Sequence, residues 1–262
     1  MKIGIIGMGV VGKTLYKAFK NLKHLCYGLD KHNSDTLTKL ILCDIIYICL
    51  PTNHSVKGLE TGVVESYLKK LNNLKFKGIV AIKSTLNPGD TEKFIKRFSF
   101  LKKNICFVPE FLRERCSYKD FTKNHDLLLI GSENKNINKK IIRNHGKYPK
   151  KISIVSTKEA ELIKLYSNAY NAARIVFANS FFEICDKINV DYSVVLKNYL
   201  KREMSTGKYL ACNKKLRGFG GKWLPKDLRA LNFLIKKKTK NIQYFKDIIS
   251  QNNKFKITIK KN

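Results

Sequence analysis

The sequence predicts an α/β fold in which a doubly wound parallel sheet is followed by a helical region. Short apolar runs alternate with helix-like segments up to residue 155, which is the pattern of parallel strands joined by crossover helices. Beyond Ser156 no Gly or Pro occurs before Gly207, and this favours long helices. We therefore predict a sheet domain over 1–155, a helical domain over 156–235 and a basic tail over 236–262.

A glycine-rich turn between two apolar runs opens the chain. Residues 2–6 form a strand-like run, and Gly7, Gly9 and Gly12 follow with the spacing GxGxxG. Gly7 permits a tight turn, Gly9 leaves no side chain where a pyrophosphate approaches, and Gly12 lets the next helix pack closely on the strand. The N–H groups at the start of that helix attract phosphates. The stretch is typical of a Rossmann-type dinucleotide-binding turn, and the loop residues predicted to hold the cofactor are Gly7, Gly9, Val10, Val11 and Gly12.

Asp30 indicates which dinucleotide the turn is expected to bind. It ends the second apolar run, 18 residues past Gly12. A carboxylate there accepts hydrogen bonds from the adenosine ribose and repels a 2′-phosphate. The sequence therefore favours NAD over NADP. If the glycines merely marked turns, the acid would have no explanation.

The charge and hydropathy patterns bear on partners. The formal net charge is +32, yet only 8 of the 52 basic residues are Arg, and the Lys residues are spread from end to end. Arg is the usual residue for reading bases, so a dedicated nucleic-acid role is not favoured, whereas anionic substrates fit the charge. No export signal is apparent and no apolar run approaches the ~18 residues of a membrane span. We expect a soluble cytoplasmic protein without membrane contact.

The seven cysteines do not indicate a disulfide framework or a metal site. Their number is odd and they include no CxxC pair, so neither structural disulfides nor zinc are expected. Four lie in apolar runs and are predicted to be inert core residues, namely Cys26, Cys43, Cys49 and Cys106. Cys116, Cys185 and Cys212 are not assigned in this way.

Further strands and helices follow along the chain. Strands are predicted over 44–50, 78–83, 104–108, 126–131 and 151–155, and short helices over 33–42 and 60–71. Ligands of doubly wound sheets bind beyond the carboxyl ends of the strands. The polar groups that follow three of these strands, Thr52-Asn53, Ser84-Thr85 and Glu110, are therefore candidates for a binding site.

The helical region begins with a capping box, Ser156 to Glu159. A helix over 157–188 would be roughly 48 Å long at 1.5 Å per residue, which exceeds a crossover and predicts a dimer surface. One polar stripe runs along it, formed by Glu161, Lys164, Asn168 and Asn171. Such a stripe is most often a solvated helix face. Nearer the carboxyl terminus, Pro225 is expected to begin a further helix at Lys226, and an amphipathic helix is predicted around Ile242 to Ile249.

Taken together, these blocks resemble the UDP-glucose/GDP-mannose dehydrogenase family. The resemblance covers residues 2 to 233 and rests on ordered motifs: Gly7 to Gly12 with Asp30, Leu50-Pro51-Thr52-Asn53, Lys83-Ser84-Thr85, Pro109 to Glu114, Glu159 to Lys164 with Asn168, Gly218 to Gly221, and Leu224 to Asp227. It implies a nucleotide-binding domain followed by a helical dimerisation domain like the carboxyl-terminal domain of 6-phosphogluconate dehydrogenase. It further implies a homodimer that oxidises C6 of a nucleotide sugar with NAD.

The resemblance also implies roles for individual residues. Alcohol oxidation needs a hydride acceptor and a group that takes the hydroxyl proton. The family pattern gives the water and oxyanion role to Lys164, Asn168 and Asp227, and activation of a hydrolytic water to Glu114. It places Thr85 and Glu110 near the nicotinamide and the catalytic water, and gives cofactor contacts to Pro51, Thr52, Thr85 and Lys226.

Two departures from the family pattern limit what the resemblance implies. The family's nucleophilic cysteine lies just before Leu-Pro-Lys-Asp, where this sequence has Trp223. An indole cannot form the thiohemiacetal that precedes the family's thioester. The sequence also ends where the family's third, nucleotide-sugar-binding domain would begin.

Four interpretations remain open. The chain is an NAD-dependent dehydrogenase that oxidises a CH–OH group only to the aldehyde or acts on a smaller substrate. Alternatively, it makes the acid with another thiol, Cys116 or Cys212. It could instead be a non-catalytic NAD-binding or dimerisation protein, or a basic protein that binds nucleic acid or an anionic surface. The retained Lys164, Asn168 and Asp227 favour the first, and Trp223 favours the third.

Overall fold

The computed structural model describes residues 1–31, 33–34, 36–55, 58–203, 209–221, 223–238, 243–255 and 258. The chain forms two compact units, of which unit 1 contains residues 1–53 and 60–164, and unit 2 contains residues 54–59 and 165–262. The division into domains at residues 155 and 235 stays a prediction. No helix in the described ranges is both long and apolar enough to cross a bilayer.

The strands and helices alternate through unit 1. The strands of the chain are β1 (Lys2–Ile6), β2 (Leu25–Asp30), β3 (Asn33–Ser34), β4 (Ile45–Ile48), β5 (His54–Ser55), β6 (Gly58–Leu59), β7 (Ile79–Ile82), β8 (Ile105–Phe107), β9 (Leu128–Gly131) and β10 (Ile152–Val155). The helices are α1 (Val10–Asn21), α2 (Leu37–Leu40), α3 (Gly62–Asn73), α4 (Asp90–Arg97), α5 (Ser117–Thr122), α6 (Lys135–His145), α7 (Thr157–Lys187), α8 (Tyr192–Tyr199), α9 (Leu224–Lys238) and α10 (Tyr244–Lys254). One turn of 3₁₀ helix, Glu114–Cys116, precedes α5.

The sheet of unit 1 confirms the predicted fold class. Its strands lie in the order β10-β9-β8-β7-β4-β1-β2-β3. The five central strands β8, β7, β4, β1 and β2 are parallel to one another. Ile3, Ile5 and Ile6 of β1 are fully buried, because a strand covered by helices on both faces must be apolar on both. The carboxyl ends of the parallel strands therefore share one edge.

The prediction that all strands run parallel is wrong at two places. β9 pairs with β8 in the antiparallel sense, and β10 is parallel to β9. The helix between β8 and β9 is only the six-residue α5, about 9 Å long, and the chain enters β9 without a full crossover helix. The small β3 is also antiparallel to its neighbour β2.

The helix predicted over 33–42 is wrong in its first half. Asn33 and Ser34 pair with the end of β2, and only Leu37–Leu40 is helical. Asn and Ser bond readily to nearby backbone outside helices, and the edge of the sheet offers them partners. His32 and Asp35 lie outside the described residues.

Unit 2 is built around α7, as the sequence predicts, with its end one residue earlier than expected. The side chains that form its core come from α7, α9, α10 and the segment before α9, and include Ala172, Phe219, Leu228, Ile248 and Phe255. The predicted basic tail therefore contributes a packed helix, α10. Gly207 and Ile242 lie outside the described residues.

Candidate active site

The three loop glycines of unit 1 are required for different physical reasons. Gly7 has a φ of 94°, and a Cβ there would lie 2.6 Å from the carbonyl oxygen of Cys49. A Cβ on Gly12 would lie 1.9 Å from the carbonyl oxygen of Gly7. A Cβ on Gly9 would meet no atom of the described residues within 4 Å. Two glycines thus permit close packing, and the third leaves an open approach to the backbone.

The surroundings of Gly9 fit the pyrophosphate and ribose of a dinucleotide. Helix α1 begins after Gly9 with no side-chain cap and no acidic residue in its first turn, so its N–H groups and dipole favour an anion. Asp30 lies beside the same loop, where one carboxylate oxygen accepts from the Met8 N–H at 2.8 Å and the other from the Lys31 N–H at 2.6 Å. The loop and its acid are therefore held together before any ligand binds.

Polar side chains meet at the carboxyl ends of β4 and β7. The Thr52 hydroxyl donates to the carbonyl oxygen of Thr85 at 2.8 Å, and the Ser84 hydroxyl donates to that of Leu50 at 2.7 Å. Thr52, Ser84 and Thr85 are all buried, whereas Pro51 is exposed. The structure thus brings together the residues that the strand-end rule selects.

A buried ion pair follows at the end of β8. The Lys164 ammonium, on α7, donates to the carbonyl oxygen of Glu110 at 2.6 Å and lies 3.3 Å from Glu110 Oε1. The two side chains are 2% and 5% exposed. The ammonium also lies 5.5 Å from the ring centroid of Phe111. Glu110 Oε2 has no hydrogen-bond partner among the described residues.

Lys83 is the residue of this region that sequence reasoning missed. It follows β7 directly, is 3% exposed, and its ammonium donates to the carbonyl oxygen of Pro109 at 3.4 Å. Burial lowers the pKa of Lys83 to about 8, although the nearby Glu110 raises it. Its place inside the Lys-Ser-Thr block was the one signal in the sequence. A Lys at the end of a strand, however, usually extends its ammonium into solvent.

The polar stripe of α7 is not a solvated face. Glu161 is fully buried and accepts from the N–H groups of Gly89 and Thr91 at 2.5 and 2.8 Å, and from the Thr91 hydroxyl at 2.6 Å. These donors belong to the start of α4, so Glu161 caps that helix from a distant part of the sequence. Burial raises the pKa of Glu161. Asn171 is half-buried and accepts from Arg174.

Unit 2 contains a second buried polar group. The Asn168 amide donates to Asp227, and the Lys226 ammonium lies 2.6 Å from the other Asp227 oxygen. Asp227 is 1% exposed. Its backbone N–H donates to the carbonyl oxygen of Trp223 at 3.0 Å, which closes the first turn of α9. The two partners fix both oxygens of the carboxylate.

The glycine-rich segment before α9 is held by α10. Gly218 and Gly221 have φ values of 64° and 75°, which favour glycine. Asn252 of α10 accepts from the Phe219 N–H at 2.8 Å and donates to the Phe219 carbonyl oxygen at 3.0 Å. Trp223 itself is half-buried, and its indole occupies the motif position assigned to a thiol.

Neither alternative thiol is activated. Burial and the Asp120 carboxylate raise the pKa of Cys116, whose thiol lies 3.5 Å from that carboxylate. Cys212 belongs to an apolar cluster of unit 2, and burial raises its pKa to about 11. The thiolate is the nucleophile, so both environments make it harder for either cysteine to replace the missing nucleophile. Glu114 is half-buried in the turn before α5.

A doubly wound sheet that carries this glycine loop and its acid defines a dinucleotide-binding protein of the Rossmann type. Family models support the same conclusion along most of the chain. Residues 31–147 match the NAD binding domain, and residues 158–254 match the central domain, of the UDP-glucose/GDP-mannose dehydrogenase family. The chain belongs to this family.

Curated relatives and solved structures agree with this assignment. The chain is 32% identical over 193 residues to a UDP-glucose 6-dehydrogenase of Campylobacter jejuni, covering 72% of this chain and 48% of that protein. A Rickettsia bellii UDP-glucose 6-dehydrogenase is 35% identical over 60% of this chain and 37% of its own length. The chain thus spans half or less of these relatives.

The likeness to solved structures concerns the fold. A UDP-glucose dehydrogenase from Pyrobaculum islandicum superposes with a TM-score of 0.83 at 20% identity, over 96% of this chain and 68% of that one. At this identity the comparison supports the Rossmann-type architecture and the order of its elements, and substrate preference is a separate question.

Proposed function

We propose that this chain is an NAD-dependent oxidoreductase that oxidises a CH–OH group of a nucleotide sugar or a related small molecule to a carbonyl, without a thioester. The proposal rests chiefly on one observation. The two buried polar groups are retained in full, Lys164 with Glu110 and Asn168 with Asp227, while the nucleophile position carries Trp223.

The residues present fit NAD. Gly7, Gly9 and Gly12 would admit the pyrophosphate, and Asp30 would accept from the ribose hydroxyls. When bound, NAD supplies the acceptor for a hydride. Pro51, Thr52, Thr85 and Lys226 are the further cofactor contacts that the family pattern proposes.

The chain's own residues would handle the proton. Buried ammonium and amide groups stabilise negative charge on a substrate oxygen more strongly than they do in water. By their motif positions we assign this role to Lys164 and Asn168, with Asp227 holding the water that receives the hydroxyl proton. Glu110 is a carboxylate partner of Lys164. Glu114, which the family pattern links to thioester hydrolysis, has no step to perform if no thioester forms.

The test follows NADH during incubation of the purified full chain with NAD and a panel of UDP- and GDP-sugars. We expect one NADH per sugar and an aldehyde product. Two NADH per sugar would show that the oxidation continues to the acid, as it would with a substitute thiol, and would contradict the proposal. Asp227→Asn, with the exposed control Asp247→Asn, should lose NADH formation while NAD binding persists.

A non-catalytic NAD-binding or dimerisation protein is the second candidate, and Trp223 is the observation that favours it. An indole cannot attack an aldehyde, and it is much larger than a thiol. Several exposed apolar side chains of α7, including Tyr166, Phe177 and Ile184, support the proposed homodimer. NAD binding without NADH from any sugar would favour this candidate.

A further inference from the structure

Three charged groups share one buried region of unit 1, and the proposed function uses only two of them. Lys164 and Glu110 form the ion pair described above, and Lys83 is the third. A salt-bridged pair is neutral overall, so a second buried ammonium leaves the region with one positive charge in excess. A buried charge without a full counterion is unstable, and the proton that this region releases most easily is therefore on Lys83.

Glu110 contacts Lys164 and lines one cavity together with Lys83. Its Oε1 lies 3.3 Å from the Lys164 ammonium, and its Oε2 has no partner among the described residues. Lys83 and Glu110 both line a cavity of about 10 Å³, which is close to the volume needed for one water molecule. A water there would have an acceptor in Glu110 and a donor in Lys83.

The other titratable groups that act on Lys83 come from several elements. Cys49 follows β4 and is half-buried, Cys106 lies in β8 and is fully buried, and both thiols act on Lys83. His125 and His145 are neutral, because burial lowers the pKa of His125 to about 4 and that of His145 well below its ordinary value. Asp120, which also lines the cavity, is engaged by Arg113 at 2.7 Å. Asp126 also lines the cavity but is exposed, whereas Glu110 is buried. Glu110 is thus the buried carboxylate available to Lys83.

We propose that Lys83 takes up the proton released at this site, acting through Glu110 and one water in the cavity, as a positioning residue for the reaction. This inference rests on the proposed function. In the alcohol oxidation, the C–H bond gives a hydride with two electrons to NAD, and the O–H bond gives a proton. That proton passes from the water that first receives it to Glu110, the partner of Lys164, and through the cavity water to the uncharged Lys83 amine, which becomes an ammonium and later returns the proton to solvent.

The first test needs no activity. Lysines of the full chain are labelled with ¹³C at Cε, and the signals are followed by NMR from about pH 6 to about pH 11, a range that includes the ordinary Lys value. Lys83→Met identifies the Lys83 signal, and Lys102→Met identifies an exposed control. We expect the Lys83 signal to titrate near pH 8, below the ordinary Lys value of about 10.4. In Glu110→Gln the Lys83 midpoint should fall further, because a negative charge is lost.

A Lys83 midpoint near the ordinary value, or one that Glu110→Gln leaves unchanged, would overturn the inference. The second test measures NADH formation against pH. The wild-type rate should rise as Lys83 loses its proton near pH 8, and Lys83→Met should lack this rise while Lys102→Met retains it. Lys83→Arg, which stays protonated, should be slow throughout.

Identical pH profiles of NADH formation for wild type and Lys83→Met would also overturn the inference. If wild type forms no NADH with any sugar, the proposed function fails, and the titration alone decides whether Lys83 and Glu110 are coupled. The two failures are therefore distinguishable.

Discussion

At the scale of single residues, Trp223 is the position that most limits the chemistry. The segment around it keeps the family's glycines and its Leu-Pro-Lys-Asp motif, and α9 begins at Leu224, two residues before the predicted start at Lys226. The motif that surrounds the family's nucleophile is therefore present in this sequence, while the side chain at position 223 is not reactive. A single substitution can separate these two properties.

We expect Trp223→Cys to convert a two-electron oxidation into a four-electron one. The thiolate would trap the aldehyde, so that a second hydride leaves and hydrolysis yields a carboxylate. NADH should rise from one to two per sugar, and mass spectrometry should detect the acid. Trp223→Phe is the matched control and should stay at one. One NADH from Trp223→Cys would show that further groups of the four-electron route are missing.

The loop glycines offer a second residue-scale prediction. Gly12→Ala places a methyl group against the Gly7 carbonyl and should cost about 3 kcal/mol or more in unfolding free energy, as severe backbone strain does. Gly9→Ala should leave stability within about 0.5 kcal/mol but weaken NAD binding, because its methyl group enters the open approach. Urea unfolding and calorimetric NAD titration measure the two effects. Equal NAD affinities for wild type and Gly9→Ala would contradict the assignment.

Residue types and spacing were sufficient to predict the glycine turn, Asp30 and the polar strand ends. Whether a charged side chain is buried, and with which partner, was not predictable in the same way. Lys83 and Glu161 look solvent-facing in the sequence, and their burial depends on partners that are distant in sequence, Glu110 for one and the start of α4 for the other. The resemblance named Lys164 and Asp227, but the partners of their charges came from the structure.

At the scale of elements, strand positions follow from apolar runs but strand direction does not. β9 and β10 are close to their predicted bounds, yet their reversal depends on how far the six residues of α5 carry the chain. The hairpin of β5 and β6 was not predicted, because each of its strands has only two residues. The long α7 was predicted almost to the residue, because a capping box begins it and no Gly or Pro interrupts it.

The start of α4 provides an element-scale prediction. Glu161→Gln should lower the unfolding free energy by about 1–3 kcal/mol. A neutral amide has one oxygen in place of two charged ones, so it cannot accept equally well from all three donors. Urea unfolding of the full chain measures the loss. Glu159→Gln is the matched control, since that side chain caps α7 at an exposed site, and it should have a smaller effect. Equal effects would show that Glu161 is not the cap of α4.

At the scale of the whole molecule, buried neutral histidines predict sensitivity to acid. The pKa of His125 is lowered to about 4 and that of His145 well below its ordinary value, in both cases mainly by burial. The unfolded chain therefore binds protons below pH 6.5 that the folded chain does not. The two neutral histidines contribute fully to stability above the His pKa of the unfolded chain. This contribution is lost as the pH falls from there towards the lower pKa of the folded chain.

We expect the melting temperature to fall steeply between about pH 6.5 and about pH 4. His145→Phe should reduce this fall, because the ring packs among Phe19, Tyr47 and Phe121 and phenylalanine does not titrate. The difference between the variant and wild type should be smaller at pH 8, where both histidines are neutral in either state. An unchanged pH dependence in His145→Phe would contradict this prediction.

The cysteines have a practical consequence for all such experiments. Burial raises the pKa of Cys26 to about 11 and that of Cys49 to about 12, raises that of Cys106 still further, and Cys43 and Cys185 lie in the interior. Cys116 is half-buried and Cys212 is buried, and their pKa values are raised as well. Alkylating reagents consume thiolates, so the wild-type chain should provide a quiet labelling background. A cysteine introduced at position 223 would then report its own reactivity to iodoacetamide, and the rate of that modification would reveal whether the fold still prepares the location for a nucleophile.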